Sequence, residues 1–375
     1  MGREVFTRSL YTAAKSTASV SSTHVTKRAE QKAIETGKLE PLVDPAGFGT
    51  TRLSLPRVEK KEDDTWEMLV GTPMPIETRV DTTGSMGNNV DVAMDVLPDA
   101  FESWSKVLDG YDIQVATGIF GDVKDNFVLC RPQFEMDALK IVKQLTLMVP
   151  EHGGGDNPED PDLGIFGGAY LCRHYINRIG LKGYDFTVTD APGRGIIDPE
   201  VVKRVFGDKA FDKASENGHQ ISQRGPIQLK DVWSALLDRA HAFVLLVGHS
   251  RDTKHFWSEH VGSERVISLP NTKHLPCVQA AIIGLTEGTL TLNDTVEFLQ
   301  QLNMKKKDAE TVSESLANIP IGAQMQLPNF SKIPKKGDVF EGKPDVWEDK
   351  YLWPVSNAME TADNEQAPEE TDDWL

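Results

Sequence analysis

The chain has 375 residues, 39% of them hydrophobic and 26% charged, with a formal net charge of −17. That length holds one large domain or two ordinary ones with a buried core, and the charge excludes general nucleic-acid binding by phosphate neutralisation. The longest apolar runs, such as Ala242 to Gly248, are far below the roughly 20 residues a membrane span requires.

Residues 1–65 read as an N-terminal arm, partly disordered. They are rich in Ser, Thr, Ala and Lys, lack a sustained apolar period, and show a helical pattern only around Thr26 to Thr36. Residues 1–40 hold seven Lys or Arg against four Glu, but no apolar h-region, so no secretory signal is expected. Phe6 stands where a myristoylation site needs Ser or Thr, and Glu4 speaks against a mitochondrial transit peptide. Three cysteines (Cys130, Cys172, Cys277), far apart and odd in number, suit neither a disulfide framework nor a zinc knuckle. A reducing, cytoplasmic setting is the expectation.

From Trp66 the pattern is regular. Pro75 to Val80 is a strand ending at Asp81, and Val90 to Leu108 has helical periodicity. Ile113 to Phe120 is a second strand. Phe127 to Cys130, reached by a tight turn, is a third and antiparallel one. Met136 to Leu147 and Leu163 to Ile179 read as helices, and Tyr184 to Thr189 as a strand ending at Asp190. Residues 191–228 are too long for an ordinary crossover and read as an insertion on the sheet's rim. The helix Leu229 to Ala240, strands His241 to Val247 and Val266 to Leu269, and helices Cys277 to Leu285 and Asp294 to Leu302 follow. This alternation predicts an α/β fold: a Rossmann-like, doubly wound, mostly parallel six-stranded sheet with one antiparallel edge strand and helices on both faces. The domain is expected over 66–305. A C-terminal extension at 306–355 should pack on it through Trp347, Tyr351, Leu352 and Trp353, with an acidic disordered tail at 356–375. Residues 345–375 hold ten Asp or Glu and one Lys, a charge that could steer a docking tail tipped by Trp374-Leu375 or simply keep the end solvated.

In such sheets ligands bind beyond the carboxyl ends of the strands, where strand order reverses. Three loops converge there. Asp81-Thr82-Thr83-Gly84-Ser85 offers a carboxylate and two hydroxyls at alternate positions, which an extended turn aims at one point. Gly153-Gly154-Gly155-Asp156-Asn157-Pro158-Glu159 brings flexible backbone and Asp156, with Pro158 placed for the first turn of the next helix. Thr189-Asp190-Ala191-Pro192-Gly193 adds a third carboxylate. Oxygen ligands without His or Cys suit a hard cation, Mg²⁺ before Mn²⁺ or Ca²⁺.

Asp-x-Thr-x-Ser after a strand, a glycine-rich second loop and a strand-terminal Asp together resemble the metal-ion-dependent adhesion site (MIDAS) of von Willebrand factor A (vWA) domains. The likeness covers about residues 66 to 290, and its motif style is nearest the intracellular vWA domains attached to α-kinases, though no kinase half is apparent. The resemblance implies metal-site roles for Asp81, Thr83, Ser85 and Asp190. It also implies a noncatalytic, metal-dependent protein-interaction domain, with an AAA+ ATPase or an assembly complex as the kind of partner. The family usually supplies Thr from the second loop, where Asp156 is the nearest candidate here. Three ionised carboxylates would over-neutralise a divalent ion and weaken its pull on a partner's carboxylate.

Other readings compete with this one. A structural or assembly protein could use the fold as scaffold only. A haloacid-dehalogenase-like phosphotransferase would use Asp81 as nucleophile, with Gly121-Asp122-Val123-Lys124-Asp125 mimicking its magnesium motif, but it leaves loops two and three unexplained. Asp81 or Asp190 alone could be a helix or turn cap. His249, His255 and His260 could hold zinc, but their spacing fits no helical face well, and surface or cap histidines are the simpler reading. No lysine motif follows Gly153 to Gly155 as in a P-loop.

Overall fold

The computed structural model describes residue 9 and residues 26–87, 95–153 and 158–340. The first strand of the main sheet, β1, is Pro73–Asp81, and all nine of its residues are buried. A parallel sheet between two helical layers requires that. The others are β2 (Asp112–Phe120), β3 (Leu129–Cys130), β4 (Gly183–Thr189), β5 (Ala240–Val247) and β6 (Val266–Leu269). They lie in the order β6-β5-β4-β1-β2-β3. All neighbours are parallel except β2 and β3, which pair antiparallel through Ile119 with Cys130 and Phe120 with Leu129. This is the mostly parallel six-stranded α/β sheet with one antiparallel edge that the alternation predicts. Strand order reverses between β1 and β4, so their carboxyl ends, Asp81 and Thr189, flank the crevice where such sheets bind ligands.

Side chains alternate along β1. Met74, Ile76 and Val80 enter one apolar core together with Trp104, Phe186 and most of the helix Leu275–Glu287. Glu77, Arg79 and Asp81 face the other side, beneath the wholly buried helix Pro161–Tyr170. That helix carries Gly164, Gly167 and Gly168 for a steric reason. A Cβ at Gly164 would lie 2.4 Å from Arg79 Cδ, one at Gly168 2.8 Å from Asp185 Oδ2, and one at Gly167 3.1 Å from Arg131 Nε. The glycines seat a buried ionic cluster: Arg79 pairs with Asp185 and, at 3.3 Å, with Glu77, which also takes Arg131 at 2.8 Å. A second core with Phe166, Trp233 and Trp257 lies on this face.

Several segments depart from the sequence reading. The helix expected over Leu163 to Ile179 ends at Tyr170; Cys172–His174 instead pairs in parallel with Arg52–Ser54, and a short helix, Tyr175–Arg178, follows. Long-range pairing here overrides local helical period. Pro158 lies outside the helix, which begins at Pro161. The described part of the arm is packed. Helix Lys27–Thr36 buries Ala29 and Ala33, Leu42 and Val43 are buried, and Arg52 donates to the carbonyls of Asp44, Gly47 and Arg131. Within the 191–228 insertion, the structure shows a strand pair and two helices. Ile196–Ile197 pairs antiparallel with Ile227–Gln228, and helices Pro199–Phe206 and Ala210–Glu216 put Val202, Phe206 and Phe211 into the second core. Past the sheet, helix Lys306–Ser315 buries Ala309 and Val312, and Val339–Phe340 pairs with Trp66–Met68. Asp156, the start of the helix expected from Val90, the aromatic residues Trp347 to Trp353 and the acidic tail lie outside the described residues.

Candidate functional site

Loop one begins where β1 leaves the sheet. Asp81 is fully buried, and its Oδ1 accepts from the Thr83 amide at 2.9 Å and the Thr83 hydroxyl at 2.7 Å. This is the local turn that Asp forms readily with the backbone two residues on. Thr82 turns away, its amide and hydroxyl donating to the Phe120 carbonyl at 2.9 and 3.0 Å, which ties the loop to the end of β2. A short 3₁₀ turn, Gly84–Met86, brings Ser85 Oγ within 3.2 Å of Thr83 Oγ. Ser85 then donates to Asp190 Oδ1 at 2.9 Å, and Thr189 donates to Asp81 Oδ2 at 2.6 Å. Asp81, Thr83, Ser85 and Asp190 thus form one continuous run of oxygens across the reversal between β1 and β4.

Loop two is fastened alongside. The Gly84 amide donates to the Gly153 carbonyl at 3.0 Å. Gly153 passes so close to Asp125 that a Cβ would lie 1.8 Å from its Oδ1, so a larger residue there would have to displace the Asp125 carboxylate. Glu159, at the far end of the loop, is 6% exposed; its amide donates to the Pro192 carbonyl at 3.0 Å, while its Oε2 has no hydrogen-bond partner among the described residues. A native structure rarely leaves such an atom unmet without a reason. The sequence reading attended to Asp156 and missed Glu159. The signal available was a second carboxylate at the point where the loop enters its helix. Thr189 was missed likewise, although it directly precedes Asp190.

The electrostatics follow from this crowding. Burial pushes the Asp81 carboxyl up to about 6, against the hydrogen bonds from Thr189 and Thr83. Burial, then the charges of Asp81 and Asp122, push Glu159 up to about 8. Burial also raises Asp190, which Ser85 partly offsets. The arginine nearby, Arg194, pairs with Asp122 at 2.9 Å and Asp160 at 2.8 Å, and no Lys or Arg is paired with Asp81, Glu159 or Asp190 among the described residues. Acidic oxygens gathered without a countercharge, one of them orphaned, fit a hard divalent cation. Among the described residues no group of three or more His, Cys, Asp or Glu side chains converges as metal ligands. The candidate set is instead mixed, with the Thr83 and Ser85 hydroxyls beside the carboxylates.

The remaining residues singled out in the sequence have local roles. Asp122 accepts from the Lys124 amide at 2.7 Å as well as from Arg194, and its own amide donates to Asp125 Oδ2 at 2.9 Å. His260 is turned onto the Phe256 carbonyl at 2.8 Å and stacks on the Phe256 ring.

No protein-family model and no curated protein matches the chain. Among solved structures it is similar to proximal thread matrix protein 1 from the mussel byssus, with 11% identity and a TM-score of 0.33 over 58% of this chain and 48% of that one. The same mussel protein with a zinc-occupied MIDAS motif aligns with 12% identity and a TM-score of 0.33, over 58% and 46%. The vWF domain of the type V pili tip protein Mfa5 from Porphyromonas gingivalis aligns with 8% identity and a TM-score of 0.36, over 59% and 97%. The match spans about half the length of the mussel protein.

Proposed function

We propose that the chain is a noncatalytic protein-interaction domain of vWA type whose partner binding depends on a divalent cation. Asp81, Thr83, Ser85 and Asp190 would hold the ion, with Asp156, outside the described residues, kept from the sequence as a further candidate ligand and Glu159 bordering the site, and Mg²⁺ suits this oxygen set best. The observation that carries the reading is the run of oxygens at the β1–β4 reversal, paired with no basic side chain among the described residues and bordered by Glu159 Oε2, which has no hydrogen-bond partner among them. The cation supplies a fixed positive charge on which a partner's acidic group can be oriented.

The phosphotransferase alternative fares worse on the same geometry. The Asp122 of the would-be magnesium motif is bound to Arg194. Two narrower readings go with this one: a cytoplasmic location, from the cysteine pattern, and an adaptor role for an AAA+ ATPase or an assembly complex, from the sequence resemblance.

The test is affinity purification with and without EDTA, comparing the wild type with Asp81→Ala. Metal-dependent capture that the substitution abolishes supports the proposal. Partners retained equally in EDTA would make the fold a scaffold instead. Asp156→Ala probes over-neutralisation: it should strengthen partner capture while metal stays bound.

A further inference from the structure

A fourth segment braces the loops of the candidate site. The turn between β2 and β3, Gly121 to Asn126, holds both described ends of loop two. At the first end Asp125 lies against Gly153, where a Cβ would come within 1.8 Å of its Oδ1, and the Asn126 amide donates to Glu151 Oε2 at 2.7 Å. At the second end the Asp160 amide donates to the Gly121 carbonyl at 3.3 Å. Asp160 Oδ2 in turn accepts from the Val123 amide at 2.6 Å.

Arg194 joins this brace to loop three, a few residues beyond Asp190. Its Nε donates to Asp160 Oδ1 at 2.8 Å and its Nη2 to Asp122 Oδ2 at 2.9 Å. One guanidinium thus spans carboxylates on two other segments. Asp122 is fully buried and Asp160 nearly so, while the Arg194 side chain is 23% exposed. The planar fork is preset for two such bonds, which a flexible ammonium is not. Backbone bonds close the strap on either side: the Glu159 amide donates to the Pro192 carbonyl at 3.0 Å, and the Gly195 amide to Asp162 Oδ2 at 2.8 Å. The clamp also lies close enough to act on the site electrostatically. After burial and Asp81, the Asp122 and Asp160 charges help to raise the Glu159 carboxyl.

Groups that orient the ligands of a metal govern its affinity as well as the ligands do. At Arg194 two effects oppose each other: its positive charge disfavours a nearby cation, and its clamp favours one. We propose that Arg194 is a positioning residue of the metal site, holding loops two and three together on the β2–β3 turn so that Asp190 and Glu159 keep their places beside loop one. The inference rests on the metal-site reading above and adds what keeps that site in shape.

The test compares the full chain with Arg194→Met and Arg194→Lys by amide hydrogen exchange in EDTA and by calorimetric titration with Mg²⁺. In EDTA, Arg194→Met should speed exchange at Val123 and Glu159 by about tenfold or more, the worth of one hydrogen bond to a charged group. Its Mg²⁺ affinity, measured where the variant is folded, should fall about 10- to 100-fold. Loss of a positive charge alone would tighten Mg²⁺, so a fall reports positioning. Arg194→Lys keeps the charge without the fork and should recover only part of the affinity; it carries the same two measurements if Arg194→Met does not fold. Unchanged exchange at Val123 and Glu159 would overturn the inference whether or not Mg²⁺ binds. A folded Arg194→Met that bound Mg²⁺ at least as tightly as the wild type would overturn it too. A wild type that bound no Mg²⁺ would instead overturn the metal-site reading, and the exchange rates would still decide the clamp.

Discussion

Glu77, Arg79 and Asp81 stand on one face of one strand, two residues apart, and folding treats them differently. Glu77 and Arg79 are fully paired in the interior: burial opposes the Glu77 charge, but Arg131 and Arg79 outweigh it and hold the carboxyl below the usual carboxylate range. Asp81, also buried, receives only hydroxyl and amide hydrogen bonds among the described residues, and its carboxyl is pushed up to about 6. A buried charge that the fold itself compensates belongs to the scaffold. One left uncompensated at the carboxyl end of a strand, where strand order reverses, is available to a group from outside.

The contrast breaks most visibly at Arg79. Arg79→Met leaves Asp185 buried without its countercharge and Glu77 with Arg131 alone, which should cost roughly 3–5 kcal/mol and lower the melting midpoint by about 5 °C. Calorimetry of the metal-free protein checks this. A variant that melted like the wild type would mean the cluster is not the scaffold element described here.

Asp81→Asn should act in the opposite sense. It removes an uncompensated buried charge, so the metal-free midpoint should hold or rise. The wild type should gain about 2.7 kcal/mol from Mg²⁺ at a hundred times its dissociation constant, and the variant should gain none. Thermal melts across a Mg²⁺ series decide it. Equal stabilisation of both proteins would remove Asp81 from the metal site.

The two halves of this strand also differ in how far the sequence discloses them. The sheet was legible because strand-like segments alternate with helical periods and several strands end at glycine-rich or acidic loops, and loops one and three were legible because Asp81, Thr83, Ser85 and Asp190 fall at strand ends. Arg79 was not, because a buried arginine in a strand reads like any polar residue until Gly164 and Gly168, about 85 residues on, are known to lie over it. Glu159 escaped for a related reason. Its meaning depends on Pro192, Asp81 and Asp122 closing around it, and a local spacing rule cannot see that. The break after Tyr170 likewise follows from the distant partner strand Arg52–Ser54.

The pH dependence sharpens the comparison further. In the metal-free fold Asp81 and Glu159 titrate above their unfolded values of roughly 3.9 and 4.3. Their contributions to stability are fully present below those values and are lost as pH rises toward about 6 for Asp81 and about 8 for Glu159. Glu77 behaves oppositely: its contribution holds above its unfolded value and is lost only as pH falls through its depressed folded value. Histidines such as His174 and His241, whose burial lowers their pKa, act in the opposite sense over the same range, so the comparison is with the Asp81→Asn, Glu159→Gln double variant. In EDTA the wild-type midpoint should fall relative to that variant's by a few degrees between about pH 5 and about pH 8, and saturating Mg²⁺ should abolish the relative fall. A wild-type midpoint that rose relative to the variant's over that interval would contradict the uncompensated state of the site.

Glu159→Gln should have the smallest effect at neutral pH. With its carboxyl pushed up to about 8, Glu159 is mostly protonated at pH 7, and glutamine is a near-isosteric stand-in for that neutral form. Mg²⁺ affinity at pH 7 should then change by less than about threefold, under 1 kcal/mol. The difference should emerge with pH. In the wild type, ionisation of Glu159 adds a negative charge beside the ion and should tighten Mg²⁺ above about pH 8, a gain that glutamine cannot reproduce. Two calorimetric titrations, at about pH 7 and about pH 9, separate the cases. Parallel affinities for variant and wild type at both pH values would leave Glu159 as a structural residue of the loop, with its unmet oxygen facing no ion.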